Sequence, residues 1–181
     1  KRLQELTEDI LDVTRIETNS LLLNKEQFDL GAVITNAIND IIANSISFSG
    51  KKKENTRIFY EPLKNKNVIV EADKARISQV ISNLLNNAVK FTPEEGGGTI
   101  SVILDNYDEK VIVRIKDTGI GISSEIMPRL FTKFATKSEK GTGLGLFISK
   151  SIIETHGGNI WAENNTDGKG ATFYFSLLLN R

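Results

Sequence analysis

The chain has no cysteine among its 181 residues, which excludes disulfides, zinc–thiolate centres and cysteine nucleophiles. It has one histidine, His156, so a histidine-rich metal site is excluded too. Lys+Arg and Asp+Glu both number 23, leaving no net charge and no broad basic footprint for nucleic acid. The densest basic run, Lys51-Lys52-Lys53, leads into Glu54-Asn55 and reads as a solvated loop. No apolar run approaches the about 18 residues of a membrane-spanning helix. No signal peptide is evident, and the opening KRLQELTEDIL reads as mid-helix, as expected of a piece of a longer protein. That leaves membrane attachment of the parent open. A hydrophobic content of 39% against 25% charged residues is enough for a packed globular core.

Periodicity orders what is there. Leu3, Leu6, Ile10 and Val13 make a short a/d seam, which serves either a helix packed on its own domain or a truncated dimerisation helix. After EQFDL, the spacing of Val33, Ile34, Ala37, Ile38, Ile41, Ile42 and Ser45 predicts a helix with one buried face. RIFYEPL (57–63) and VIVEA (68–72) read as strands joined by a turn at KNKN. Asp73 is placed to cap a helix whose apolar stripe is Ile77, Val80, Ile81, Leu84, Leu85 and Ala88. TISVILDNY and KVIVRIKD predict a hairpin turning at Asp108-Glu109. A short helix near 123–130, a helix near 144–156 and two closing strands, NIWAEN and ATFYFSLLL, complete the chain. Helices with a largely antiparallel sheet predict a layered α+β sandwich.

Opposite that apolar stripe lie Gln79, Asn83, Asn87 and Lys90. Asn costs up to about 0.7 kcal/mol relative to Ala inside a helix, so its repetition there calls for a reason. Amide oxygens suit a hard cation that shares its shell with phosphates and water. Two glycine loops point the same way. DTGIGI (117–122) sets Asp117 at a strand end, where a carboxylate can accept from an exocyclic amine such as that of adenine. KGTGLGL (140–146) runs into a helix, and free amides at a glycine-rich helix start bind phosphate. KGTGLGL matches neither a P-loop nor a G-x-G-x-x-G fingerprint after a strand.

With these elements in this order, the chain resembles the catalytic and ATP-binding domain of sensor histidine kinases, in the gyrase/Hsp90/histidine kinase/MutL superfamily. NLLNNAVKFT is similar to the asparagine box of that family, DTGIGI and GTGLGL to its two glycine boxes, and LFTKF to its phenylalanine box. The resemblance implies a Bergerat-type two-layer α/β sandwich, with a mixed, mostly antiparallel sheet and helices on one face. Residues 1–24 would be the end of a dimerisation helix and 25–181 the catalytic domain. ATP and Mg²⁺ are implied, with Asn87 on the metal and Asn83 beside it. Lys90 would contact phosphate and Phe91 would line the site. Asp117 would read the adenine amino group, helped by bound water and Thr172. Gly119, Gly121 and Ile122 would bring the loop to the base. Gly141, Thr142, Gly143, Leu144, Gly145 and Leu146 would form the hinge and phosphate-binding end of a mobile lid, with Phe131 and Phe134 packing its other end. The arginine that family members often carry after the phenylalanine box is missing, leaving Lys133, Lys137 or Lys140 to replace it.

The resemblance further implies a protein-histidine kinase, cytoplasmic, homodimeric as a whole protein, and partnered by its phosphoacceptor domain and a response-regulator receiver domain. Asn83 stands where ATP-hydrolysing relatives commonly carry Glu, and an amide is no general base at neutral pH. Asn83 and Lys90 would therefore serve transfer rather than hydrolysis. His156, followed by Gly157, reads as the end of a helix, and no His-Glu acceptor motif is present, so the chain alone is not expected to label itself. A clamp-type ATPase and a non-catalytic nucleotide-sensing module are the other readings.

Overall fold

The computed structural model describes residues 2–48, 56–63, 67–93, 97–136 and 141–179. The expectations for Lys51–Lys53, Lys137 and Lys140, and for the side chains of Leu3 and Ser45, lie outside the described residues.

The chain runs α1 (Arg2–Glu17), β1 (Glu26–Asp29), α2 (Leu30–Phe48), β2 (Arg57–Glu61), β3 (Ile69–Ala72), α3 (Lys74–Phe91), β4 (Thr99–Asn106) and β5 (Lys110–Asp117). A 3-10 turn (Met127–Arg129), α4 (Gly145–Thr155), β6 (Ile160–Asn164) and β7 (Ala171–Leu178) follow. Five strands form one mixed sheet in the order β2-β4-β5-β7-β6, parallel only between β2 and β4. The alternation of β4, β5 and β7 sends Ile100, Val102, Val111, Val113, Ile115, Phe173 and Phe175 into the core. Each fully buried side chain of that size contributes about 1.5–3 kcal/mol.

Both strands expected in 57–63 and 68–72 form, but they do not pair with each other: β2 joins the large sheet, whereas β3 pairs antiparallel with β1 in a separate two-stranded sheet. The strand β1 lies in EQFD, whose four residues are too short for periodicity to declare. Ile42, expected on the buried face of α2, is 47% exposed.

The α3 helix occupies the middle of the helical layer, touching α2 on one side and α4 on the other. Its stripe is buried as the spacing predicts. Its N-cap is Asp73, whose Oδ1 accepts from Arg76 N at 3.1 Å, an interaction worth about 1 kcal/mol. At the far end the Thr92 hydroxyl donates to Ala88 O (2.7 Å) and Pro93 prevents continuation.

Helix α4 ends in a Schellman motif. Gly157, at φ +79°, donates to Glu154 O (2.9 Å) and Gly158 donates to Ile153 O (3.0 Å). His156 is its C-cap and is buried. Its Nδ1–H donates to Ile152 O at 2.8 Å, which leaves Nε2 to accept from Asp73 N at 2.9 Å. Burial holds the imidazole below its usual pKa, so it is a neutral tie between α4 and the start of α3.

Outside this layer, α1 docks by its polar side. Asp12, 5% exposed, accepts from Arg76 Nη1 (2.7 Å) and Gln79 Nε2 (2.9 Å). Val13 and Ile16 pack on the core, whereas Leu6 and Ile10 of the a/d seam stay 37% and 52% exposed. The seam is therefore divided: Val13 faces the domain, whereas Leu6 and Ile10 do not.

Candidate functional site

The polar face of α3 is one wall of a cavity of about 640 Å³. Gln79, Asn83, Asn86, Asn87, Lys90 and Phe91 line it from α3, and Asp117, Gly121 and Ile122 from the end of β5 and its loop. Gly141, Thr142, Gly143, Gly145 and Leu146 close it at the start of α4, and Ala171 and Phe173 form the floor on β7. The stretches singled out in the sequence, dispersed over about half the chain, thus meet around one space.

Asp117 is 3% exposed and points inward with the rest of the buried face of β5. Its Oδ1 accepts from Gly119 N (2.8 Å) and Ala171 N (3.3 Å), and among the described residues no donor reaches Oδ2. Burial raises the pKa of the carboxyl above the usual range, and the two backbone bonds oppose that shift without cancelling it. The loop after it lies on the end of α3, with Ile120 N donating to Phe91 O at 3.2 Å. A Cβ on Gly119 would collide with that same carbonyl, which explains the glycine.

Asn83 and Asn87 of α3 differ. Asn83 Nδ2 donates to the buried Ser149 Oγ (2.9 Å), and its amide lies so close to Gly145 that a Cβ there would strike it. Asn87 faces the cavity and has no hydrogen-bond partner among the described residues. Lys90 Nζ stands 5.1 Å from the Phe91 ring centre, and burial lowers the pKa of the ammonium. Among the described residues no carboxylate pairs with it. No group of three or more His, Asp or Glu residues among those described could hold a metal. A cation here would take amide oxygen together with ligand oxygens and water, and Asn87 is an amide free to serve.

The Gly-rich segment turns sharply at Gly143, φ +70°, whose Cα faces the backbone of Phe134. Thr142 Oγ1 accepts from Leu144 N (3.3 Å) and donates to Asp9 Oδ2 (3.0 Å). Glu8 and Asp9 of α1 thereby enter the cavity wall, which no local pattern in α1 announces.

Several expected positions are corrected by the geometry. Thr172 does not line the cavity: β7 turns Ala171 and Phe173 inward, and the Thr172 hydroxyl donates to Asn165 Oδ1 at 2.6 Å. Gly119 and Leu144 are not among the lining residues; the Leu144 side chain is buried in the core and its N–H donates to Thr142 Oγ1. Lys133 is held by an ion pair with Glu17 and stands over the Phe147 ring, away from the cavity. Lys137 lies outside the described residues. Phe131 packs on the core, but Phe134 is 68% exposed at φ +60°. Of the apolar lining, Ile148 and Phe173 follow from the periodicity of α4 and β7, Leu130 opens the LFTKF stretch, and Ile126 carries no motif of its own.

Residues 72–181 match the family described as histidine kinase-, DNA gyrase B- and HSP90-like ATPase. The chain belongs to that family. Among curated relatives of this ATPase-family chain, the sensor histidine kinase WalK of Bacillus subtilis is 31% identical over 98% of this chain and 28% of its own length. The circadian input-output histidine kinase CikA of Synechococcus elongatus is 35% identical over 96% of this chain and 23% of its own. The chain thus spans about a quarter of the curated relatives it matches. The solved catalytic domain of histidine kinase ThkA is similar at TM-score 0.71 and 32% identity, covering 86% of this chain and 95% of that one. A second ThkA structure, in complex with the response regulator protein TrrA, is similar at TM-score 0.73 and 30% identity, covering 98% and 49%. The two-layer α/β fold of this ATPase-family member agrees with these neighbours. Among its described residues, no helix is long and apolar enough to cross a membrane.

Proposed function

We propose that this chain is the ATP-binding kinase domain of a two-component sensor histidine kinase. It would transfer the γ-phosphoryl of Mg-ATP to a histidine on a dimerisation domain, for relay to a response-regulator aspartate. One observation carries the reading: a free amide (Asn87), a buried carboxylate with an open oxygen (Asp117) and a glycine-rich helix start line a single cavity. Membership of the ATPase family and kinase relatives matching nearly the whole chain support it.

Each residue then has a task. Asp117 Oδ2 accepts from the adenine amino group, between Phe91, Ile122 and Phe173. The backbone N–H groups of Gly145 and Leu146 face phosphate at the start of α4, where the helix dipole favours negative charge. Lys90 adds positive charge to the cavity wall, where phosphate can pair with it. Asn87 would hold Mg²⁺ together with phosphate oxygens and water; the ion would neutralise charge developing on the transferred group. Asn83 acts through Ser149 and Gly145, keeping the phosphate-facing end of α4 against α3. No carboxylate stands where a base for water would be needed on α3, which favours transfer over hydrolysis.

Residues 1–24 belong in this reading to the dimerisation helix, whose exposed Leu6 and Ile10 suit a partner helix in a homodimer. The acceptor domain and a response-regulator receiver domain are the partners, the second in line with the complex of ThkA with response regulator protein TrrA, and the site works on the cytoplasmic side of any membrane anchor. Calorimetry should register ADP and ATP binding in excess Mg²⁺, and Asn87→Ala should abolish its Mg²⁺ dependence. A supplied phosphoacceptor domain should become labelled from radioactive ATP while this chain does not. Absence of nucleotide heat would overturn the reading, and steady phosphate release without acceptor would favour a clamp-type ATPase.

A further inference from the structure

We propose that Asn164, the last residue of β6, and Asn165, which follows it into the β6–β7 turn, are positioning residues that set the purine selectivity of the cleft; this rests on the nucleotide reading above. Neither residue lies in a sequence stretch that pointed to the site. Both nevertheless hold the loop that carries Asp117.

Asn164 pairs with the backbone of Ile122 in both directions. Its Oδ1 accepts from Ile122 N at 2.7 Å and its Nδ2 donates to Ile122 O at 2.8 Å. Only a carboxamide offers a donor and an acceptor side by side at that reach. Asn165 holds the other end of the loop. Its Nδ2 donates to Asp117 O (2.8 Å) and Lys169 O (2.6 Å), and its Oδ1 accepts from Thr172 (2.6 Å). Gly170, at φ +76°, lets the turn lie directly on the Asp117 carbonyl, where a Cβ would collide. The next residue, Ala171, donates to Asp117 Oδ1.

The direction of the Asp117 carboxylate is therefore imposed from this turn, and the arc between Asp117 and Ile122 is tied at both ends. A hydrogen bond fails within a few tenths of an ångström beyond about 3.5 Å, so a loop free to shift would lose the contact to a purine. The identity of the purine depends on that contact. An adenine amino group donates to the carboxylate, whereas the carbonyl of guanine in its place would face the carboxylate lone pairs.

The test is calorimetric titration of the whole chain with ADP and with GDP in excess Mg²⁺, for wild type, Asn164→Asp and Asn165→Asp. In each variant the lost donor is replaced by an oxygen facing a carbonyl. Wild type should prefer ADP. Each variant should bind ADP about tenfold more weakly, as loss of one or two hydrogen bonds implies, with GDP changed less than twofold, so that the ratio collapses. Equal losses for ADP and GDP, or an unchanged ADP affinity, would overturn the proposal. If Asn164→Asp does not fold, Asn164→Ser, which keeps no bidentate pairing, must collapse the same ratio. A wild-type chain that binds neither nucleotide would refute the nucleotide reading itself, a result distinct from a binding chain indifferent to these substitutions.

Discussion

Replacing Asp117 by Asn separates the cost of a buried charge from its use. The side chain is 3% exposed, and its Oδ1 is held by Gly119 N and Ala171 N. Asn keeps that oxygen and both bonds, and changes only Oδ2, the atom left open to the cavity, into an NH₂ group. Without nucleotide the change should stabilise. A carboxyl with a raised folded pKa ionises later than in the unfolded chain, whose value is near 3.8. Stability therefore falls as pH rises from the unfolded value through the folded one, and stays reduced at neutral pH. Asn escapes that loss. Its melting temperature at pH 7 should equal or exceed that of wild type, and the difference should vanish below pH 3.8.

Nucleotide binding should move the other way. A hydrogen bond to a charged acceptor contributes about 1.5–3 kcal/mol, and the new NH₂ would face the adenine amino group donor to donor. A total of about 3 kcal/mol corresponds to roughly 150-fold weaker ADP binding. Thermal unfolding without ligand and calorimetry with ADP and Mg²⁺ measure the two effects separately. An Asp117→Asn chain whose ADP affinity stays within about threefold of wild type would refute the role of Oδ2. A marked drop in melting temperature would refute the analysis of the charge.

Gly145→Ala should weaken nucleotide binding and lower stability together, because its Cβ would strike the Asn83 amide where α3 and α4 meet; calorimetry and thermal melts measure both. Arg76→Ala should cost about 2–3 kcal/mol in chemical denaturation, less than the 3–5 kcal/mol of a fully broken buried pair because Gln79 still donates to Asp12. The contribution of His156 should be complete above its unfolded pKa of about 6.5 and be lost as pH falls through the lower folded value, since protonated Nε2 cannot accept from Asp73 N. His156→Phe should flatten that part of the stability–pH curve; an unaltered slope below pH 6.5 would assign it to other groups.

The fold was legible where one period ran long enough. Helix α3 has an unbroken apolar stripe and a capping Asp73, and the β4–β5 hairpin alternates across both strands, so each was expected nearly to the residue. Strand pairing was less legible, because a strand states its faces and not its neighbours. β2 and β3 are close in sequence and belong to different sheets, and β1, four residues long, pairs across more than forty residues with β3. The contacts that bind α1 to the domain are likewise between distant residues. Asp12 meets Arg76, and Glu17 meets Lys133, on docking surfaces that no local window contains.

For the site, motif and geometry part company at Thr172. A hydroxyl close in sequence to the glycines near Asp117 looks like a second purine contact, yet strand parity decides otherwise. In β7 the core side chains are Phe173, Phe175 and Leu177, so Ala171 shares their face and Thr172 takes the opposite one. The register sets Lys116 against Thr172, which puts Ala171 opposite Asp117. That much follows from alternation alone. What alternation does not contain is the use made of the displaced hydroxyl: it donates to Asn165, and Asn165 in turn holds the Asp117 carbonyl. Thr172 therefore bears on the carboxylate from behind, through two hydrogen bonds. Thr172→Val, nearly the same shape without the donor, removes the first link of that chain and leaves the cavity lining intact. Its loss of ADP affinity in calorimetry should be smaller than that of Asn165→Asp; an equal or larger loss would mean that the hydroxyl touches nucleotide itself.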